Sequence, residues 1–170
     1  MIVLQDVVLQ RGTKVLLDKA SVSINPGERV GLVGRNGCGK SSLFSLLQNR
    51  LHEDAGDVSL PPHWRMAEVA QNMPETTDSA TEFVLGGDSR LQEAHAALAQ
   101  ADASGDGMAI AHAHTLLADA GAHDARSRAQ SLILGLGFQI DELERPVNSF
   151  SGGWRMRLQL ARALMCPSDL

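Results

Sequence analysis

The chain has 170 residues, 44% hydrophobic and 21% charged, which suits one ordinary globular core and excludes a disordered or low-complexity protein. Its net charge of −5 excludes a strong overall basic field for nucleic acid, although a local basic patch is compatible with it. The start, Met1-Ile2-Val3-Leu4-Gln5-Asp6, has no basic segment followed by a long apolar stretch, and no run of about 20 apolar residues predicts a membrane span. Cys38 and Cys166 suggest no disulfide framework, and a cytoplasmic location is expected.

In chain order, residues 2–10 and 14–24 are rich in β-branched and aliphatic side chains that partly alternate. Arg11-Gly12 and Asn25-Pro26-Gly27 punctuate them, so an antiparallel layer is predicted. Arg29-Val30-Gly31-Leu32-Val33 reads as a buried parallel strand. Next comes Gly34-Arg35-Asn36-Gly37-Cys38-Gly39-Lys40-Ser41, followed by a helical pattern from Ser42 to Leu47. Glu53-Asp54-Ala55-Gly56 reads as a turn, and 57–60 and 65–70 as strands split by Pro61-Pro62. From Asp78 to about Gln130 the composition shifts to Ala, Leu, Gln, Asp and His. Leu91, Ala94, Leu98 and Ala101 have helical spacing, and so do Ile110, Ala113, Leu117 and Ala120. Ser104-Gly105-Asp106-Gly107 interrupts them, which predicts a helical hairpin. Further helices are predicted over 123–136 and 154–165, the last stopped by Pro167.

Residues 34–41 fit G-x-x-x-x-G-K-[ST], the phosphate-binding loop between a strand and a helix. Gly34, Gly37 and Gly39 allow the backbone to curl its N–H groups around an anion, and the helix N-terminus adds positive potential. In that motif Lys40 reaches the β- and γ-phosphates and Ser41 ligates Mg²⁺. Asn36, Cys38 and Ser42 complete the candidate nucleotide-binding set. A second glycine-bearing helix start lies at Ser149-Phe150-Ser151-Gly152-Gly153-Trp154: Ser151 can cap the helix and the glycines leave its first N–H groups uncovered. Taken alone this is an ordinary N-cap; following a phosphate loop at this distance, it is specific.

Together these residues resemble the ATP-binding-cassette ATPases over essentially the whole chain. Phe150-Ser151-Gly152-Gly153-Trp154 is similar to their signature motif, usually LSGGQ, and Gln71 matches their Q-loop glutamine. The stretches 25–37 and 150–158 look like the ABC-F subfamily, in its YheS-like branch. The resemblance implies an α/β P-loop core with an N-terminal antiparallel β layer and an inserted helical subdomain whose hairpin stands where that subfamily carries its arm. The organisation expected is 1–73 for the β layer, P-loop and Q-loop core, 74–148 for the helical subdomain, and 149–170 for the signature and its helix. ATP and Mg²⁺ are the implied cofactors, with Ser41 and Gln71 at the metal. Ser151, Gly152 and Gly153 are implied to meet ATP held by an opposite cassette. Arg11 stands where many cassettes stack an aromatic ring on adenine, and an arginine plane can also stack on a base.

ABC-F proteins pair two cassettes, lack a membrane domain and act on ribosomes, so a second cassette and the ribosome are the implied partners. The alternatives are a transporter's nucleotide-binding subunit and a non-catalytic ATP-binding fragment. The family's next element is an apolar strand ending in Asp-Glu, the Mg²⁺-supporting and water-polarising carboxylates, with a histidine later. The sequence stops at Ser168-Asp169-Leu170, where that strand should begin, so a cassette cut before it is expected, with no catalytic residue present. Weak ATP binding without turnover follows from that expectation, since phosphoryl transfer needs the attacking water positioned as well as the phosphate held. His112 and His114, two apart on a helix, do not share a face and are expected to be solvated or half-buried. Arg126 and Arg128 suit RNA phosphate and a solvated helix face equally.

Overall fold

The computed structural model describes residues 1–70, 72 and 74–170. They divide into two compact units, Met1–Met66 and Ala67–Leu170.

The first unit is built on β1 (Ile2–Arg11), β2 (Lys14–Ile24), α1 (Lys40–Leu47) and β3 (Ala55–Ser59). The strands form one antiparallel sheet in the order β2-β1-β3, with Leu4 opposite Val22 and Val58. Ile2 and Leu4 point inward, and then Val7 and Leu9 do. Strict alternation would send one of these pairs into solvent. A register irregularity after Leu4 resolves the conflict: Asp6 takes φ 50° and its N–H donates to Ser21 Oγ at 2.9 Å. Gly56 lies so close that a Cβ there would stand 2.4 Å from the Asp6 carbonyl oxygen. Ile2, Leu4, Val7 and Leu46 form the core, with Leu17, Leu43, Val58 and Trp64 packed around it.

The segment 29–33 departs from expectation. It forms no strand, and Val30 and Val33 are 62% and 90% exposed. An apolar run becomes a parallel strand only when neighbours on both sides accept and donate its ladder bonds, and no described strand pairs with it. Residues 65–70 likewise form no strand, for the same lack of a paired neighbour.

The second unit is helical: α2 (Ala80–Leu85), α3 (Ser89–Ser104), α4 (Gly107–Asp119), α5 (Ala122–Gly135) and α6 (Gly152–Met165). The helix α2 packs on α5 and α6, and α3 and α4 form the anticipated hairpin. Gly105 closes α3 at φ 70°, and the Asp106 side chain then accepts the Met108 N–H at 2.9 Å to start α4. Phe83, Val84, Ile133, Phe138, Val147, Phe150, Leu158 and Ala161 belong to one buried cluster. Polar groups inside it are satisfied: Thr81 Oγ1 donates to the Leu143 carbonyl at 3.0 Å, and Asp88 accepts the Leu91 N–H at 3.3 Å beside Arg128.

Candidate functional site

The phosphate loop is shaped by backbone conformations that only glycine adopts freely. Gly37 has φ 74° and Gly39 φ 107°. A Cβ at Gly34 would stand 2.7 Å from Cys38 Sγ, and the Cys38 N–H donates to the Arg35 carbonyl at 3.3 Å. Gly39 is the N-cap of α1, so no side chain covers the first N–H groups of that helix, and its first turn carries no acidic residue. Those donors are left for an outside acceptor.

Two ammonium groups hold the loop. Lys40 Nζ donates to the carbonyls of Gly34 at 2.6 Å and Arg35 at 2.9 Å. Lys14 Nζ, from the start of β2, donates to the Gly37 carbonyl at 2.6 Å. The β1–β2 hairpin also reaches the loop through Leu16, whose Cβ would stand 3.1 Å from a Cβ at Gly39. Lys14 carries no motif signal; the only hint in the sequence is a cation just past the Gly12 turn. Ser41, Asn36 and Cys38 are exposed and Ser42 is half-buried. A curled backbone, uncovered helix N–H groups, a lysine ammonium and an exposed serine hydroxyl fit a triphosphate with its divalent cation. Arg11 is exposed at the end of β1, paired in register with Lys14. Gln71 lies outside the described residues.

The signature stretch is built differently. Ser151 has extended backbone (φ −66°, ψ 160°) and α6 starts at Gly152. Its hydroxyl makes no capping bond, contrary to the capping role expected of it, so the first N–H groups of α6 are without a side-chain acceptor. The Ser151 carbonyl does accept the Arg155 N–H at 2.9 Å. Aromatic rings support this helix start: Phe138 meets Phe150 and Trp154 edge-on, with centroids 5.4 and 4.6 Å apart. Arg157 lies over the Trp154 ring at 4.4 Å and Arg145 over Phe150 at 4.6 Å. The helix also contacts Asn72 and Glu75: Gln159 Nε2 donates to the Asn72 carbonyl at 3.0 Å, and Arg155 pairs with Glu75.

Arg126 and Arg128 are engaged within the unit. Arg126 bonds Glu82 at 2.8 Å and Glu144 at 2.7 Å, and these carboxylates, Glu82 first, raise its guanidinium pKa above the ordinary range. Arg128 bonds Asp124 at 2.5 Å and lies 3.6 Å from buried Asp88. His112 and His114 are both exposed on α4.

Comparison with known proteins places this geometry. Residues 17–170 match the family model described as ABC transporter. The chain is 50% identical over all its residues to the probable ATP-binding protein YheS of Escherichia coli K12, of which it covers 27%. It is 38% identical to human ATP-binding cassette sub-family F member 3, over 94% of this chain and 23% of that one. It thus spans about a quarter of the length of these relatives. A solved bacterial ABC transporter cassette, described as dimeric, superposes with a TM-score of 0.63 at 19% identity over 97% of this chain and 69% of its own, and this likeness speaks for the fold alone. No helix among the described residues is long and apolar enough to cross a membrane. The chain belongs to the ABC transporter family of ATP-binding domains, on the side of the YheS and sub-family F cassettes.

Proposed function

We propose that this chain is the ATP-binding part of an ABC-F ATPase that acts in the cytoplasm on the ribosome during translation, with hydrolysis carried out by the complete two-cassette protein. The observation that carries the reading is the phosphate loop, with Gly37 and Gly39 at positive φ and Lys40 folded onto it, in a chain 50% identical to a probable ATP-binding protein. Gly34, Asn36, Gly37, Cys38, Gly39, Lys40, Ser41 and Ser42 hold the triphosphate, and Ser41 with Gln71 holds Mg²⁺. When bound, Mg²⁺ neutralises charge between the β- and γ-phosphates. Ser151, Gly152 and Gly153 present the free N-terminus of α6 to ATP on a second cassette. The transporter-subunit alternative is favoured by no particular feature of this chain's geometry.

Two experiments test this. Titration of the chain with a fluorescent ATP analogue is expected to show binding that Lys40→Ala removes; unchanged affinity in a folded variant overturns the site. Cell fractionation of the full-length protein is expected to recover it with ribosomes, more so when turnover is blocked; exclusive recovery with a membrane transporter overturns the ribosomal role.

A further inference from the structure

The α3–α4 hairpin joins its unit at two feet, and one guanidinium lies at both. Asp88, the N-cap of α3, is 1% exposed. One of its carboxylate oxygens accepts the Leu91 N–H at 3.3 Å, and the other lies 3.6 Å from Arg128 Nη2 on α5. At the second foot Gly121 follows α4 with φ 69°, and its carbonyl oxygen lies 3.5 Å from Arg128 Nη1, which also bonds Asp124 at 2.5 Å. A Cβ at Gly121 would stand 2.7 Å from Arg128 Nη1, so the guanidinium is seated against this glycine. Arg90 ties foot to foot by donating to the Asp119 carbonyl. From Leu91 to Ala125 the sequence holds no Lys or Arg, and the guanidinium that meets buried Asp88 comes from α5. Among the described residues, the hairpin enters the unit's apolar cluster only near its feet. Leu91 and Ala120 belong to that cluster with Leu117 packed against it, whereas Ala94, Ala101 and Ala113 are buried but belong to neither cluster.

We infer that Arg128 is the pin of the hairpin: it holds both feet to α5 and so fixes the direction in which the hairpin points, while α3 and α4 hold each other as one lever. Arginine suits this position because its planar fork reaches two partners at once, where an ammonium is a single point of charge. The Asp88 carboxylate is removed from water, so leaving it unpaired would be costly. The leverage follows from length. With 16 residues, α3 is about 24 Å long at a rise of about 1.5 Å per residue. A swing of about 15° at the feet, the size of a common rigid-body rotation, carries the tip about 6 Å. The pin concerns the hairpin's own mechanics and stands apart from the nucleotide-binding reading.

The test is pulsed electron paramagnetic resonance on the 170-residue chain carrying Cys38→Ser and Cys166→Ser as the parent. One nitroxide pair spans the pin, at Ala103→Cys near the tip of α3 and Ile140→Cys beyond the end of α5, both exposed. A second pair, Ala103→Cys with Ala111→Cys on α4, lies within the hairpin, also at exposed positions. Distances are read in the parent, in the double variant Asp88→Asn/Arg128→Met and in Arg128→Lys, each checked for folding by thermal melt. The double variant removes both charges together, which is tolerated better than the loss of one, and asparagine still caps α3. The parent is expected to give one narrow distance across the pin. The double variant is expected to spread that distance by about 5 Å or more, while the pair within the hairpin keeps its parent width. Arg128→Lys, which keeps a charge near Asp88 and loses the fork, is expected to spread it by less. Parent width across the pin in the folded double variant overturns the inference, and so does a broad distribution in the parent. Equal broadening of both pairs overturns it as well, because the helices then melt rather than pivot. Parent width in Arg128→Lys has the same result, and decides alone if the double variant does not fold.

Discussion

The two glycine-bearing helix starts reach the same end, uncovered N–H groups, by opposite means. The phosphate loop is shaped locally: Gly37 and Gly39 take positive φ, which favours glycine, and ammonium groups on its own carbonyls hold the curl. Val33, just before it, is 90% exposed. At the signature, none of the residues Ser151, Gly152 and Gly153 has positive φ, and the helix start is held from behind by Phe138, Phe150 and Trp154. One site is a backbone device and the other a packing device. Mutations should therefore break them in different ways.

The largest effect is expected on the packing side. Phe138 is 3% exposed and touches both Phe150 and Trp154. Phe138→Ala should cost about 3–5 kcal/mol through lost transfer energy and the cavity left behind. For a chain of this size that lowers the melting temperature by roughly 6–20 °C, and Trp154 emission should shift red in the still-folded fraction. A loss below about 1 kcal/mol would mean that the aromatic cluster does not support the signature helix.

Next comes a glycine on the loop side. At Gly39 an added Cβ meets Leu16 Cβ at 3.1 Å, and φ is 107°. Gly39→Ala should cost about 1–3 kcal/mol of strain and weaken nucleotide binding at least in proportion, because the strain is relieved by uncurling the cradle. Calorimetry and nucleotide titration on one preparation check this; a variant with wild-type melting and wild-type affinity would remove the local-shape argument.

How much of this was legible in the sequence follows the same division. The phosphate loop could be read directly because its shape depends on residues within the motif itself. The α3–α4 hairpin could be read because Ser104-Gly105-Asp106-Gly107 supplies both a left-handed closing glycine and an N-cap. The strand expected over 29–33 could not be verified by pattern, because a parallel strand is made by its neighbours and not by its own apolar run. Helix α2 escaped periodicity because six residues span less than two turns. Its signal was a cap: Ser79 with Glu82 three residues on, the Ser79 hydroxyl accepting the Glu82 N–H at 3.2 Å. The partners of Arg126, Glu82 and Glu144, and the buried Asp88 beside Arg128 lie on distant segments, and only folding reveals them, whereas Asp124 is four residues from Arg128 on the same helix.

A smaller effect sharpens the contrast from the other side. Gly153 is helical, and a Cβ there meets nothing within 4 Å. Gly153→Ala should stabilise the chain by about 0.5–1 kcal/mol, since glycine in a helix costs that much relative to alanine. The melting temperature should rise by a few degrees. Destabilisation would show that the fold itself requires a glycine. The expected gain means instead that glycine suits what approaches this surface, so on the proposed function the same variant should impair ATP turnover in the full-length protein.

The smallest effect concerns the turn that feeds the loop segment. Glu28 accepts the Asn25 N–H at 2.8 Å and the Asn25 side-chain amide at 2.9 Å, while its own N–H donates to the Asn25 carbonyl at 3.2 Å. The two bonds from Asn25, side chain first, stabilise the carboxylate and hold its pKa below the ordinary glutamate value. A depressed carboxyl pKa contributes stability above the unfolded-state value and loses it as pH falls through the folded one. Glu28→Gln should therefore melt slightly below wild type at neutral pH. The difference should shrink as pH drops below the usual glutamate range and vanish once the wild-type carboxyl is protonated. Because the group is fully solvent-exposed, screening keeps the contribution small, and added salt should reduce it further. Paired melts of the two proteins across acidic pH decide the matter. A gap that stays constant with pH would assign the turn to its Pro26-Gly27 backbone rather than to the carboxylate, and would leave the loop side dependent on glycine conformation alone.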